Sequence, residues 1–324
     1  MRGRNELCAS TTRSSRPADI PQPGPGAHPV LGPTRYRVCV QKLLTDRDLL
    51  ESLAVEVELT MRRHTEIADE WQPHDFVPWD DGRNFAFLGG EDWDPAQSEL
   101  SDTARLALTV SVLIADNLPS YHREVGKYLR TGTWWRWVGR WTAEEARHSV
   151  VIRNYLMVTR ACDPVELERL RMGHMTDGFR REPLHLLDVL AACAFEETAA
   201  AVRHRNTAAL GENPLITAIS ERIAKDDEMQ AAVFADLVAA GFDETPDQTM
   251  RAVADQVAAF RVPSVTLPDG RSSDEALADA GIYDPEKQDE LIFAPLLRRW
   301  DVFGRTDLGE SGEAAREELA RFRP

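Results

Sequence analysis

The sequence predicts an all-α fold in one domain, on three observations. Apolar residues recur at helical spacing from about Lys42 to Arg321, no run alternates as a half-buried strand would, and no short repeat is present. Of 324 residues, 43% are apolar, enough to bury a sizeable core. The net charge of −16 argues against nucleic acid as the main partner, since phosphate binding needs a basic face. The longest apolar run, LALTVSVLIA from Leu106, is too short to span a bilayer and reads as a buried helix, so no integral membrane segment is expected. Cys8, Cys39, Cys162 and Cys193 lack CxxC spacing; neither a zinc site nor a disulfide framework is indicated, and a reducing cytoplasm fits.

Residues 1–41 are rich in Pro, Gly, Ser and Arg and lack periodicity, so they are expected to be disordered. Their few acids would also suit an organelle transit segment, but a flexible tail or an over-extended start is preferred. LLTDRDLLESLAVEVELTMRRH follows as a helix and stops at the Pro, Gly and Trp-rich loop WQPHDFVPWDDGRNFAFLGGEDWDP. A helix resumes after Ser101 and runs to Leu118, where Pro119 breaks or kinks it. Further helices are predicted over Thr133–Arg160, Pro164–His174, Pro183–Leu210, Pro214–Ala240 and Thr245–Phe260. After the loop VPSVTLPDGRSS, two or three shorter helices end near Arg321.

Three of these helices carry polar residues on faces that should be buried. In RWTAEEARHSV, Glu145 and His148 share a stripe with Ile152 and Leu156, while Glu144, Arg147 and Asn154 occupy the opposite, wetter side. The alternative is a helix start, with Thr142 and Glu145 as a capping box. Glu197 lies on a stripe of Leu190, Cys193, Ala194, Ala201 and Ala208. A carboxylate there is costly unless paired, protonated or bound to a cation, an ion pair with Arg203 or Arg205 being the alternative. Asp226, Asp227 and Gln230 interrupt an apolar face of Ile216, Ile219, Ile223, Phe234 and Leu237. Three long helices turning acids inward is the layout of a carboxylate di-metal bundle, and oxygen ligands with imidazole suit non-haem iron.

The segments DEWQPHDFVPWDDGRNF, FLGGEDWDP, DNLPSYHREV, RWTAEEARH, YLMVTRACDPVELERLR, HRNTA and AGIYDP, in that order, resemble the soluble acyl-acyl-carrier-protein desaturases of plastids and, above all, actinobacteria. The resemblance covers about Lys42 to Arg321. It implies a ferritin-like helical bundle with additional flanking helices, two ferrous ions, an acyl carrier protein presenting a fatty acyl chain, a ferredoxin-type reductant and a homodimer. It places the family's first Glu-x-x-His on Glu145 and His148, its lone core glutamate on Glu197, and its second Glu-x-x-His on Asp227 and Gln230. The remaining family glutamate falls on Ala115, which cannot ligate; Asp116 is about 100° further round the helix and would serve only if that helix were rewound. Asp227 keeps the charge on a shorter arm, and Gln230 offers a weak amide oxygen.

The family's electron relay falls on Trp71, Asp226 and His148, although a packed loop aromatic and a buried hydrogen bond would explain Trp71 and Asp226 equally. The threonine near the oxygen site falls on Ala200. The function implied is O2-dependent introduction of a double bond into a carrier-bound acyl chain. The alternative is a non-catalytic or regulatory relative that keeps the bundle and binds acyl chains or acyl carrier protein. Docking an acidic carrier on this acidic chain needs a local basic patch, either Arg62 and Arg63 or Arg298 and Arg299, with the Arg62 region preferred.

Overall fold

Thr45 opens the first helix with a reciprocal cap: its hydroxyl accepts the Asp48 N–H while the Asp48 carboxylate accepts the Thr45 N–H, over α1 (Asp46–Ser52). The helix expected to run unbroken to His64 is interrupted at Leu53 and continues as α2 (Ala54–Ile67). The computed structural model describes residues 43–180 and 184–323, so the tail expected over residues 1–41 lies outside them. Ser101 caps α3 (Asp102–Asp116) through the Ala104 N–H. Pro119 then sits in the first turn of α4 (Leu118–Gly126), where its missing N–H would have had no intrahelical partner. The chain therefore starts a second helix there and does not kink a single one.

Helix α5 (Gly132–Val158) runs straight through Thr142. No helix starts at that residue, and Thr142 Oγ1 pairs instead with His122 Nδ1 at 2.8 Å, so the capping-box alternative falls. Arg160 ends the element in the left-handed region at φ 52°, and the Ala161 N–H closes back on the Leu156 carbonyl at 3.0 Å. The buried Arg160 guanidinium donates to the carbonyls of Asn84 and Glu91 and to Gln97 Oε1, and covers the Phe85 ring at 4.2 Å. It thereby fastens to α5 the long loop that follows Trp71.

The centre of the bundle is α7 (Leu186–Ala209) against α8 (Pro214–Glu244), the most extensive helix pair. The start expected for α7 at Pro183 lies outside the described residues. Small buried residues on α7 (Ala191, Ala194, Ala199, Ala201) let the two axes approach closely. Near the far end of α8 a Cβ on Gly241 would meet Leu187 Cδ2 at 2.9 Å and Thr249 Oγ1 at 3.2 Å, so glycine is what admits α7 and α9 (Pro246–Ala259). Helix α6 (Pro164–Asp177) packs on α3, and α5 packs on α3, α2 and α8.

Flanking pieces follow as α10 (Ser273–Asp279), α11 (Pro285–Gln288), a π-helical turn over Asp289–Phe293, α12 (Ala294–Arg299) and α13 (Glu310–Glu318). Phe293 and Trp300 join them to the bundle by edge-on contacts with Phe195 of α7. Among the described residues the extended pairing amounts to one bridge, Thr266 to Ser272, in agreement with the all-α expectation. None of the described helices is long and apolar enough to cross a membrane. Cys162 and Cys193 are buried free thiols.

Candidate metal centre

Four elements deliver the polar residues to the interior. Helix α5 brings Glu145 and His148, α7 brings Glu197, α8 brings Asp226, Asp227 and Gln230, and the loop after α2 brings Trp71. One ligand atom from each of Glu145, His148 and Asp227 lies within 4.8 Å of the others. His148 Nδ1 stands 3.4 Å from Glu145 Oε1 and 3.5 Å from Asp227 Oδ1. Its other nitrogen, Nε2, faces Asp226 Oδ2 at 3.5 Å, and the same oxygen accepts the Trp71 indole N–H at 2.8 Å. The carboxylate of Asp226 thus orients the imidazole from behind, as outer carboxylates do for metal-binding histidines. Arg147 stacks over Trp71 at 4.9 Å, so this arginine bridges the loop to α5 and does not reach freely into solvent. Glu197 accepts the Trp141 indole N–H at 2.7 Å, and Arg205 is committed to Glu228, which removes that ion-pair alternative for Glu197.

The electrostatics describe a site crowded with anionic groups. Burial, reinforced by Glu145 and Asp227, pushes the Glu197 carboxyl well above its usual range. Burial does the same to Asp227, with His148 opposing and Glu145 reinforcing. Burial works against charge on His148, but Glu145, Asp226 and Asp227 outweigh it and hold the imidazole pKa well above normal. Glu145 Oε1, Asp227 Oδ2 and Gln230 Oε1 are buried without hydrogen-bond partners. Unpartnered buried oxygens beside a buried imidazole form a donor set that fits a divalent ion such as ferrous iron. Glu145, His148 and Asp227 would hold one such ion. Ala115 offers no ligand for the further coordination that two ions imply.

Asp116 and Gln230 are placed otherwise. Asp116 pairs with Arg153 of α5 and faces Arg171 of α6. Arg153 is eight residues beyond Glu145, about 12 Å along the helix. Gln230 donates its Nε2 to Glu144 Oε2 at 3.3 Å. Glu144 itself corrects the sequence reading: expected on the wet side of α5, it is buried, bonded to His64 Nε2 at 2.8 Å and paired with Arg140. The reason is that α2 packs against that side of α5, so the helix has two buried flanks. Burial would raise the Glu144 pKa, but His64 and Arg140 hold it below the usual value. His204 of α7, missed in the sequence, is also buried, with Nε2 4.0 Å from Asp227 Oδ2. A signal for it existed, because positions 197, 201, 204 and 208 form one helical stripe.

The chain has relatives among known proteins. The profile of the family described as "Fatty acid desaturase" matches residues 45–324. Two proteins of Mycobacterium tuberculosis named as acyl-(acyl-carrier-protein) desaturases are similar to this chain. DesA1 is 38% identical, spanning 86% of this chain and 85% of its own. DesA2 is 40% identical, spanning 83% and 97%. The X-ray structure of DesA2 superposes with a TM-score of 0.69 at 35% identity, over 85% of this chain and 98% of that one.

Proposed function

The chain belongs to the fatty acid desaturase family, with a ferritin-like helical fold, and on that premise we propose that it introduces a double bond into a fatty acyl chain carried by acyl carrier protein, using O2 and iron. The observation that carries the reading is the convergence of Glu145, His148 and Asp227 within 4.8 Å. Iron bound there would supply the oxidant for removing hydrogen from an unactivated carbon, which no acid or base side chain can do.

The protein's own residues support the remaining tasks. Asp226 holds His148 in place, and Trp141 holds Glu197. The contiguous Trp71, Asp226 and His148 offer electrons from a ferredoxin-type reductant a route inward. A cavity of about 70 Å³, walled by Ile114, Val125, Ala200 and Val262, reaches Glu145 and Glu197 and suits a few methylenes of an acyl chain. It shares Tyr121 and Pro263 with a more polar cavity of about 350 Å³ that includes Asn117 and His174, a way in for the carrier-linked end. A larger hollow of about 690 Å³ between α3, α6 and α10 touches none of the candidate ligands and has no part in the reading.

Two neighbouring arginines support a docking patch for the carrier on this face. Arg63 of α2 and Arg299 of α12 both reach Asp236 of α8, so the two arginine pairs that are distant in sequence adjoin. Ala115 and Gln230 favour a second reading, a relative that binds carrier or acyl chain without oxygen chemistry.

The test is iron per chain after anaerobic ferrous loading and desalting, followed by turnover of acyl carrier substrate with a ferredoxin reductant. Bound iron that is lost in Glu145→Ala, with unsaturated product, is the expected result. No iron, with carrier binding intact, would establish the second reading in its place.

A further inference from the structure

Arg203 of α7 is only 8% exposed, and a guanidinium keeps its charge even when buried. It stands 6.0 Å from the centre of the Tyr283 ring. Among the described residues no carboxylate forms an ion pair with it, and its side chain makes no hydrogen bond. The pairing with Glu197 that the sequence allowed is therefore not made; Glu197 accepts from Trp141 instead. A buried charge without a partner is costly, so keeping one on a core helix calls for an oxygen group that comes to meet it. The cavity of about 70 Å³ shows where that group would arrive. Arg203 lines it together with Ile114, Val125, Ala200 and Val262, and the same cavity reaches Glu145 and Glu197. Along α7, Arg203 lies six residues beyond Glu197, about 9 Å further on the helix axis.

We propose that Arg203 binds the C1 oxygen of the acyl substrate, either the carboxylate of a free fatty acid or the carbonyl of a thioester, and so sets which carbons reach the metal centre. This rests on the desaturase reading above and assigns a specificity residue within it. The wall has the matching chemistry: its apolar side chains suit methylenes, and Arg203 is the one cation among its described lining residues. The planar guanidinium fork presents several N–H donors to a planar carboxyl or carbonyl group, strongest when that group is an anion. Glu145, Glu196 and Glu197 line the cavity too. A divalent ion at Glu145 would offset the charge nearest the centre and leave Arg203 to meet the substrate's oxygen at the other end of the 9 Å span. The volume leaves room for only a few methylenes between the two. With C1 held by Arg203, the bond that is oxidised lies close to the carbonyl end of the acyl chain.

The experiment measures, by calorimetry, binding of three ten-carbon probes to the iron-loaded full chain without oxygen: decanoate, the decanoyl thioester of N-acetylcysteamine, and decylammonium. Wild type is compared with Arg203→Gln, Arg203→Lys and Ala200→Leu, and bound iron and Tm show that each variant is folded. Arg203→Met keeps the packing of the stem and replaces the glutamine variant should that one be unstable. Arg203→Gln is expected to weaken decanoate, the thioester or both by about tenfold or more and to tighten decylammonium, while Arg203→Lys recovers part of the loss. Loss on the decanoate arm identifies a free acid as the source of the oxygen, and loss on the thioester arm identifies a carrier-type ester. Equal weakening of all three probes, no change in any, or acyl binding that is indifferent to Ala200→Leu overturns the assignment, since a purely structural arginine has no reason to distinguish ligand charge. The desaturase reading then still stands if wild type binds acyl probes and forms unsaturated product. Wild type that binds neither acyl probe overturns both.

Discussion

Asp226 illustrates how one side chain can serve several neighbours. It accepts from Trp71, faces His148 and is paired with Arg222, and these partners hold its pKa low although burial alone would raise it. Asp226→Asn keeps the shape but removes the charge behind His148, and metal affinity should fall by about 10–100-fold, read by dialysis against a chelator. Trp71→Phe should instead leave bound iron unchanged and slow its reduction by ferredoxin, read by stopped flow; an unchanged rate would dismiss the relay.

The pH dependence follows from the same groups. Folded-state pKa values of His148, Glu197 and Asp227 are raised, so their contribution to stability is present at low pH and is lost as pH rises through those values. The metal-free chain should therefore melt at lower temperature as pH climbs above the ordinary carboxylate and then the ordinary imidazole range. Metal binding displaces those protons, so affinity, and the rise in Tm it causes, should grow over the same interval. Calorimetry with and without Co(II) checks both slopes.

At the level of elements, α5 matters because both of its flanks are buried and its end is anchored. Arg160 fastens the loop of residues 84–97 through four hydrogen-bonding partners, Asn84, Glu91, Asp92 and Gln97, from a left-handed turn. Arg160→Ala should cost about 3 kcal/mol or more, since hydrogen bonds to a charged group contribute about 1.5–3 kcal/mol each and the carbonyls would lose their donor. Denaturant unfolding measures the loss, and amide exchange should speed up across that loop. Ala200 makes the opposite point on α7. Ala200→Leu adds bulk to the wall of the 70 Å³ cavity, so acyl binding should drop while bound iron stays constant. Equal acyl binding in that variant would move the chain to another cavity.

On the scale of the whole molecule, the net charge of −16 would repel the acidic carrier of the proposed reaction, so the proposed docking relies on the local field around Arg62, Arg63, Arg298 and Arg299. Arg62 is exposed on α2, while Arg63 and Arg299 are partly neutralised by Asp236. Arg62→Glu should weaken carrier binding several-fold at low salt and less at high salt, measured by fluorescence anisotropy. Carrier binding that is indifferent to this reversal would place docking elsewhere.

The helical class, the inward stripes of Glu145 with His148, of Glu197 and of Asp227, and the break near Pro119 were legible in the residues alone, because helical periodicity and proline chemistry are local. Which flank of α5 meets water was not local: Glu144 is buried only because α2 lies across it, and a single helix read in isolation has no means of revealing a second neighbour. Asp116 stood beside the position of a missing ligand, yet its partners, Arg153 and Arg171, come from two other helices. The two histidines around Asp227 belong to α5 and α7, 56 residues apart in the chain. Sequence by itself determined that Glu145, His148, Glu197 and Asp227 lie on inward stripes. Only the packing of α5, α7 and α8 decided which of them meet, because the contacts that build a metal centre are made between helices.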